Sequence, residues 1–69
     1  MARLALTQVP KNADYWRVEW RPAERETPLF AYFDSEEEAV AVRDEIRNAG
    51  ETAEVYRLNN RTSAYERLT

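Results

Sequence analysis

One helix constrains the fold of this chain more than any other feature, because the sequence encodes both of its ends. Two overlapping capping boxes mark its start, Asp34 with Glu37 and Ser35 with Glu38. Gly50, the only glycine of the chain, stands where a left-handed C-terminal cap is expected. The sequence therefore predicts an α-helix over about 35–49.

The apolar side of this helix is narrow and its members are small. On a helical wheel it consists of Ala39, Val42, Ile46 and Ala49. Arg43 falls outside this stripe, beside Val40. Such a helix can lie close on a sheet but cannot form a core alone, so the rest of the chain must supply a sheet.

Composition limits the chain to one small domain that depends on packing. The 69 residues predict a single domain over 1–69, near the lower size limit for folding without staples. Cysteine and histidine are both absent, so neither disulfides nor thiolate or imidazole metal ligands are available. We expect a cytoplasmic protein without a cofactor or a membrane segment.

Five stretches have the composition of short strands. They are 3–9, 15–21, 29–33, 52–58 and 62–68. The clearest is the second, in which Trp16, Val18 and Trp20 alternate with Tyr15, Arg17, Glu19 and Arg21. The tryptophan side is expected to pack under the helix.

The predicted architecture is α+β: an antiparallel sheet of four to five short strands, in the order β-β-β-α-β(-β), with the helix on one face. The register of the last hairpin stays open. A four-residue loop would place Tyr56 opposite Tyr65 and Glu54 opposite Arg67, and a two-residue loop would break both pairs.

The sheet face away from the helix is the predicted working surface, because it holds more aromatic side chains than one small helix can cover. Its candidate partner-binding residues are Tyr15, Arg17, Arg21, Phe30, Tyr32 and Tyr56. Tyrosine and arginine are enriched at protein interfaces. The plainer interpretation is an ordinary sheet surface on which Arg17 and Glu19 pair across strands.

Two segments resemble known families. The run Trp16–Arg21, followed after a polar turn by Phe33–Ala39, resembles the arm-type DNA-binding domain of phage integrases, which has three strands and one helix. This chain lacks the lysine-rich sheet of that family. The segment 33–55 resembles the β-α-β unit of many short proteins of actinobacteria and their phages, which implies origin rather than activity.

The sequence predicts a non-enzymatic interaction module, phage- or mobile-element-associated, that binds a protein partner or itself through the open sheet face. No nucleophile–base arrangement, glycine-rich phosphate loop or small-molecule pocket is indicated. The alternative is nucleic-acid binding through Arg17, Arg21 and Arg57, which the net charge of −3 disfavours. Mimicry of DNA by the acidic helix start is a third and weaker interpretation.

Overall fold

In the part of the chain that the structure describes, four antiparallel strands and one helix form the fold. They are β1 (Asp14–Arg21), β2 (Leu29–Phe33), α1 (Glu36–Asn48), β3 (Thr52–Asn59) and β4 (Ala64–Leu68). The structure, a computed structural model, describes residues 6, 8–10, 13–24 and 26–68. The predicted α+β class, with one helix on one face of an antiparallel sheet, is confirmed.

The strands are arranged in the order β2-β1-β3-β4, so that the tryptophan-containing strand lies in the interior of the sheet. Val18 at its middle is opposite Ala31 on one side and Val55 on the other. Because directly opposite residues share a face, these three side chains lie together. This register fixes which side chains of every strand face the helix.

The core lies between α1 and that face. Its buried residues are Val18, Phe33, Ala39 and Val55, with Trp16, Trp20, Ala31, Val42, Ile46 and Leu68 packed around them. The tryptophan side of β1 therefore packs under the helix as the alternation predicted. Small side chains allow α1 to lie close to the sheet, and one of them, Ala39, is completely buried.

Both ends of α1 use the caps that the sequence encodes. The Ser35 hydroxyl accepts a hydrogen bond from the Glu38 amide at 3.4 Å, so the second of the two capping boxes places the N-cap. At the other end Gly50 has φ +89°, and its amide donates to the Arg47 carbonyl. The Glu51 amide donates to the Ile46 carbonyl, which completes a Schellman motif.

The predicted stripe of α1 needs one correction. Arg43, expected outside the stripe, is buried, whereas Ala49 is exposed at the C-cap. Arg43 is four residues from Ala39 and three from Ile46, so its side chain lies on the same side of the helix. Its guanidinium reaches the Asp44 carboxylate at 3.2 Å, and its aliphatic stem can cover apolar surface on the way.

The C-terminal hairpin forms with a register that differs from the conditional prediction. A four-residue turn over 60–63 follows the pair Asn59 and Ala64, which places Tyr56 opposite Arg67 instead of Tyr65. The Asn59 side-chain oxygen accepts hydrogen bonds from the amides of Arg61 and Thr62, at 2.9 and 3.1 Å. This side-chain turn moves the hairpin by two residues.

The predicted first strand, 3–9, lies largely outside the described residues, and those of its residues that are described, 6 and 8–9, are not in a strand. The Leu6 amide donates to the Tyr32 carbonyl on β2, and the Pro10 carbonyl accepts from the Asn60 side chain at 3.0 Å. These contacts lie on opposite sides of β1.

Candidate functional site

The face of the sheet opposite α1 carries the side chains that alternate with the core residues. We call it the open face. The register places on it Tyr15, Arg17, Glu19, Arg21, Phe30, Tyr32, Glu54, Tyr56, Leu58, Tyr65 and Arg67. It includes the six predicted partner-binding residues, and their surroundings on it differ.

Arg17 is at the centre of a cluster on the open face. Its guanidinium carbon lies 5.2 Å from the ring centre of Phe30, 5.1 Å from that of Tyr56 and 5.7 Å from that of Tyr65. Each distance is within the range of a cation–π contact. We call Arg17 and these three aromatic residues the arginine–aromatic cluster.

Polar contacts hold Arg17 in place. Its guanidinium donates to the Tyr65 hydroxyl at 3.3 Å and lies 3.8 Å from the Glu19 carboxylate. The arginine and glutamate side chains are only 20% and 25% exposed. Arg17 and Glu19 thus do pair, as the plainer interpretation expected, but along one strand and within an aromatic setting. The cluster is preorganised, which lowers the entropy that binding would cost.

Two rings of the cluster are the large hydrophobic side chains that remain open to solvent. Among the described residues, Phe30 is 48% exposed and Tyr65 is 61% exposed. They come from β2 and β4, the two outer strands, so they lie on either side of Arg17. An exposed aromatic pair around a central arginine has the composition of an interface anchor.

Tyr65 is the member of the cluster that was not among the predicted partner-binding residues. Its ring stacks on that of Tyr56, with centroids 5.2 Å apart and planes 27° apart. The two residues are diagonal neighbours in the hairpin, because Tyr65 is opposite Leu58. The stacking of Tyr65 on Tyr56 depends on the register of the β3–β4 hairpin. The sequence signal for that register was the turn-forming side chain of Asn59.

Tyr56 lies in the inner part of the cluster. Burial raises the pKa of its phenol above the usual 10.0, and the nearby Glu19 carboxylate adds to this effect. Desolvation and neighbouring negative charge both disfavour the phenolate. The Tyr56 hydroxyl therefore stays protonated at neutral pH, and its uncharged ring lies against the Arg17 guanidinium.

The open face is covered at one end. Tyr15, predicted to be available for a partner, is only 6% exposed. Its hydroxyl donates to the Asn60 side chain at 2.9 Å, and its ring lies 6.0 Å from that of Tyr32, which is half-buried. Tyr15 and Tyr32 thus hold neighbouring parts of the surface together and expose little area to a partner.

The arginines proposed for nucleic acid do not gather on one surface. Arg17 is enclosed by the cluster, and Arg21 is exposed at the end of β1. Arg57 lies on the helix side of the sheet, since it is opposite Trp16. Its guanidinium binds the Asp14 carboxylate through Nε at 3.1 Å and Nη2 at 2.8 Å. Its charge is therefore already paired.

Asp14 is the centre of a polar network at the start of β1. Besides the Arg57 contacts, it accepts a hydrogen bond from the Asn59 side-chain amide at 2.6 Å. These hydrogen bonds, first from Asn59 and then from Arg57, lower the pKa of Asp14 below its usual 3.8. The network ties β1 to the end of β3 and serves the fold.

No family model, no curated protein and no solved structure matches this chain. Within the described ranges, α1 falls short of the length and the apolar composition that a membrane-spanning helix needs. The same residues include no group of three or more acidic side chains placed to hold a metal ion. The candidate site is therefore defined by its geometry, and the arginine–aromatic cluster is its best-formed part.

Proposed function

We propose that this chain is a non-enzymatic interaction module that binds a protein partner, or a second copy of itself, through the open face. The observation that supports this proposal is the arginine–aromatic cluster. Its central guanidinium is already fixed among three rings, and two of those rings, Phe30 and Tyr65, remain exposed.

A partner on the open face would cover the exposed members of the cluster. Interfaces draw most of their binding free energy from a few residues, among which tyrosine and arginine are enriched. Covering Phe30 and Tyr65 would remove apolar surface from water at about 25 cal/mol per Å². It would also desolvate the Arg17 contacts, which strengthens a cation–π interaction.

The test compares variants of the exposed members of the cluster with one control. Phe30→Ser and Tyr65→Ser truncate side chains that contribute little to the core, so both should fold with near-native circular dichroism. Glu37→Ser changes an exposed residue of α1, on the other side of the molecule. We expect the two cluster variants to lose at least about 10-fold in affinity for the partner, or for self-association, as hot-spot residues do.

Two measurements apply the test. Sedimentation equilibrium over a range of concentrations detects self-association, and quantitative pull-down from the source cells detects another partner. The proposal fails if Phe30→Ser keeps the self-association of the wild type and retains the same bound proteins as the control. Salt-sensitive binding of duplex DNA, lost on Arg21→Ala, would instead support the nucleic-acid alternative.

A further inference from the structure

A second surface of this chain is the outer edge of the sheet at β4. Among the residues that the structure describes, β4 is the last strand of the sheet and pairs with β3 on one side only. Four of its five residues, from Ala64 to Arg67, are exposed. The other outer strand differs, because the Leu6 amide already donates to the Tyr32 carbonyl on β2.

An edge strand displays a row of backbone donors and acceptors that another strand can satisfy. Natural sheets block such edges with proline, a bulge or charged side chains, above all lysine. The segment Ala64–Leu68 contains neither proline nor lysine, its two charged residues, Glu66 and Arg67, are of opposite sign, and its pairing with β3 runs without interruption through all five residues. An open pocket lined by Arg57, Ala64, Tyr65 and Glu66 adjoins the strand.

We propose that β4 pairs antiparallel with β4 of a second copy about a two-fold axis at Glu66, which would join the two sheets into one of eight strands. A two-fold axis perpendicular to the sheet keeps both helices on the same side and relates residues of the same face. In this register Tyr65 is opposite Arg67 of the second copy, and Ala64 is opposite its Leu68.

The side chains favour a second copy as the occupant. The Tyr65–Arg67 pairing would occur twice and would repeat the pairing that the sheet already makes between Tyr56 and Arg67. Ala64 would lie opposite Leu68 of the second copy, which pairs a small side chain with a large one. The same two-fold operation would make the two open faces coplanar and continuous, with one arginine–aromatic cluster from each chain.

One contact in this arrangement is unfavourable, and removing it should have a measurable effect on association. The two Glu66 carboxylates would be opposite each other, and directly opposed like charges destabilise a sheet. Within each chain, Glu66 is opposite Arg57 on β3, but that arginine is already bonded to Asp14. A five-residue strand also buries little area, so we expect a weak, concentration-dependent dimer.

Disulfide trapping tests the register, and the absence of native cysteine makes the background clean. Directly opposite residues in an antiparallel pair have Cα atoms about 4.5–5.5 Å apart, within the range that a disulfide spans. Under mild oxidation, Glu66→Cys should form a cross-linked dimer. Tyr65→Cys and Arg67→Cys should cross-link efficiently only when the two variants are mixed.

A second measurement uses the opposed carboxylates. In sedimentation equilibrium, Glu66→Gln should tighten the dimer by about 1.5- to 5-fold, as expected when one like-charge pair is removed. Glu37→Gln, on the exposed side of α1, should leave the dimer unchanged. Absence of a cross-link in the Glu66→Cys variant, or weaker association of Glu66→Gln than of the wild type, would overturn the proposal.

This inference does not depend on the proposed function of the open face. Adding Phe30→Ser to the Glu66→Cys variant should leave its cross-link intact, because Phe30 lies on β2, at the opposite edge of the sheet from the pairing strand. Conversely, failure of the cross-link would leave binding at the arginine–aromatic cluster untouched. The two proposals therefore fail separately.

Discussion

Gly50 stops α1 through its backbone conformation. Its φ of +89° lies in the region that side chains other than glycine seldom adopt, and a Cβ built there meets nothing within 4 Å. The constraint is thus conformational and not steric. We expect Gly50→Ala to lower the free energy of unfolding by about 1–2 kcal/mol, measured by urea denaturation.

Gly50→Asn is the matched control, because asparagine tolerates the left-handed region better than alanine. It should cost clearly less than the alanine variant. If alanine and asparagine cost the same, the conformational explanation for the end of α1 would be wrong.

Asp14 makes stability depend on pH in a defined direction. Its pKa is lowered in the folded state, so the stability that it contributes is present above the unfolded value of 3.8 and is lost as the pH falls through the folded value. Between about pH 5 and pH 2, the melting temperature of Asp14→Asn should fall less steeply than that of the wild type.

Glu24→Gln serves as the comparison for the Asp14 measurement, since Glu24 is exposed between β1 and β2. Its melting temperature should follow the wild-type curve over the same pH range. A slope for Asp14→Asn equal to the wild-type slope would show that the network with Arg57 and Asn59 does not hold the carboxylate ionised.

At the scale of the elements, the start of α1 has two candidate N-caps in the sequence, and the structure distinguishes between them. Ser35 provides the N-cap hydrogen bond to Glu38, whereas Asp34 is exposed one residue earlier. Ser35→Ala should destabilise the protein by about 1 kcal/mol in thermal or urea unfolding. Asp34→Ala should cost less than half as much, and the reverse order would assign the cap to Asp34.

Elements with a strong local signal could be predicted from sequence. The helix has caps at both ends, and β1 has an unbroken alternation of large apolar and polar residues. The register of the β3–β4 hairpin could not, because it depends on how the Asn59 side chain folds the turn. The burial of Arg43 also escaped prediction, since a charged residue on the core side of a helix is uncommon.

The candidate site was predictable to a similar degree. Alternation placed Arg17, Phe30 and Tyr56 on one face, and the structure brings these three together. Tyr65 joined them only through the hairpin register. Tyr15 was assigned to the correct face but not to a buried position, because its contacts with Asn60 and Tyr32 join distant parts of the chain, which local patterns do not encode.

At the scale of the whole molecule, the protein has one face sealed by α1 and one face that carries exposed aromatic side chains around a fixed arginine. We propose that a protein partner binds this second face. A photo-cross-linking amino acid at Phe30 tests it most directly, because that side chain is 48% exposed and belongs to the cluster. The same group at Glu37, on α1, is the control.

In cells of the source organism, we expect a discrete adduct from position 30, of defined mass and containing either a partner protein or a second copy of the chain. Tyr65→Ser in the same chain should reduce that adduct, and position 37 should give none. Equal labelling from positions 30 and 37, or no adduct from position 30, would contradict the claim that the open face binds a partner.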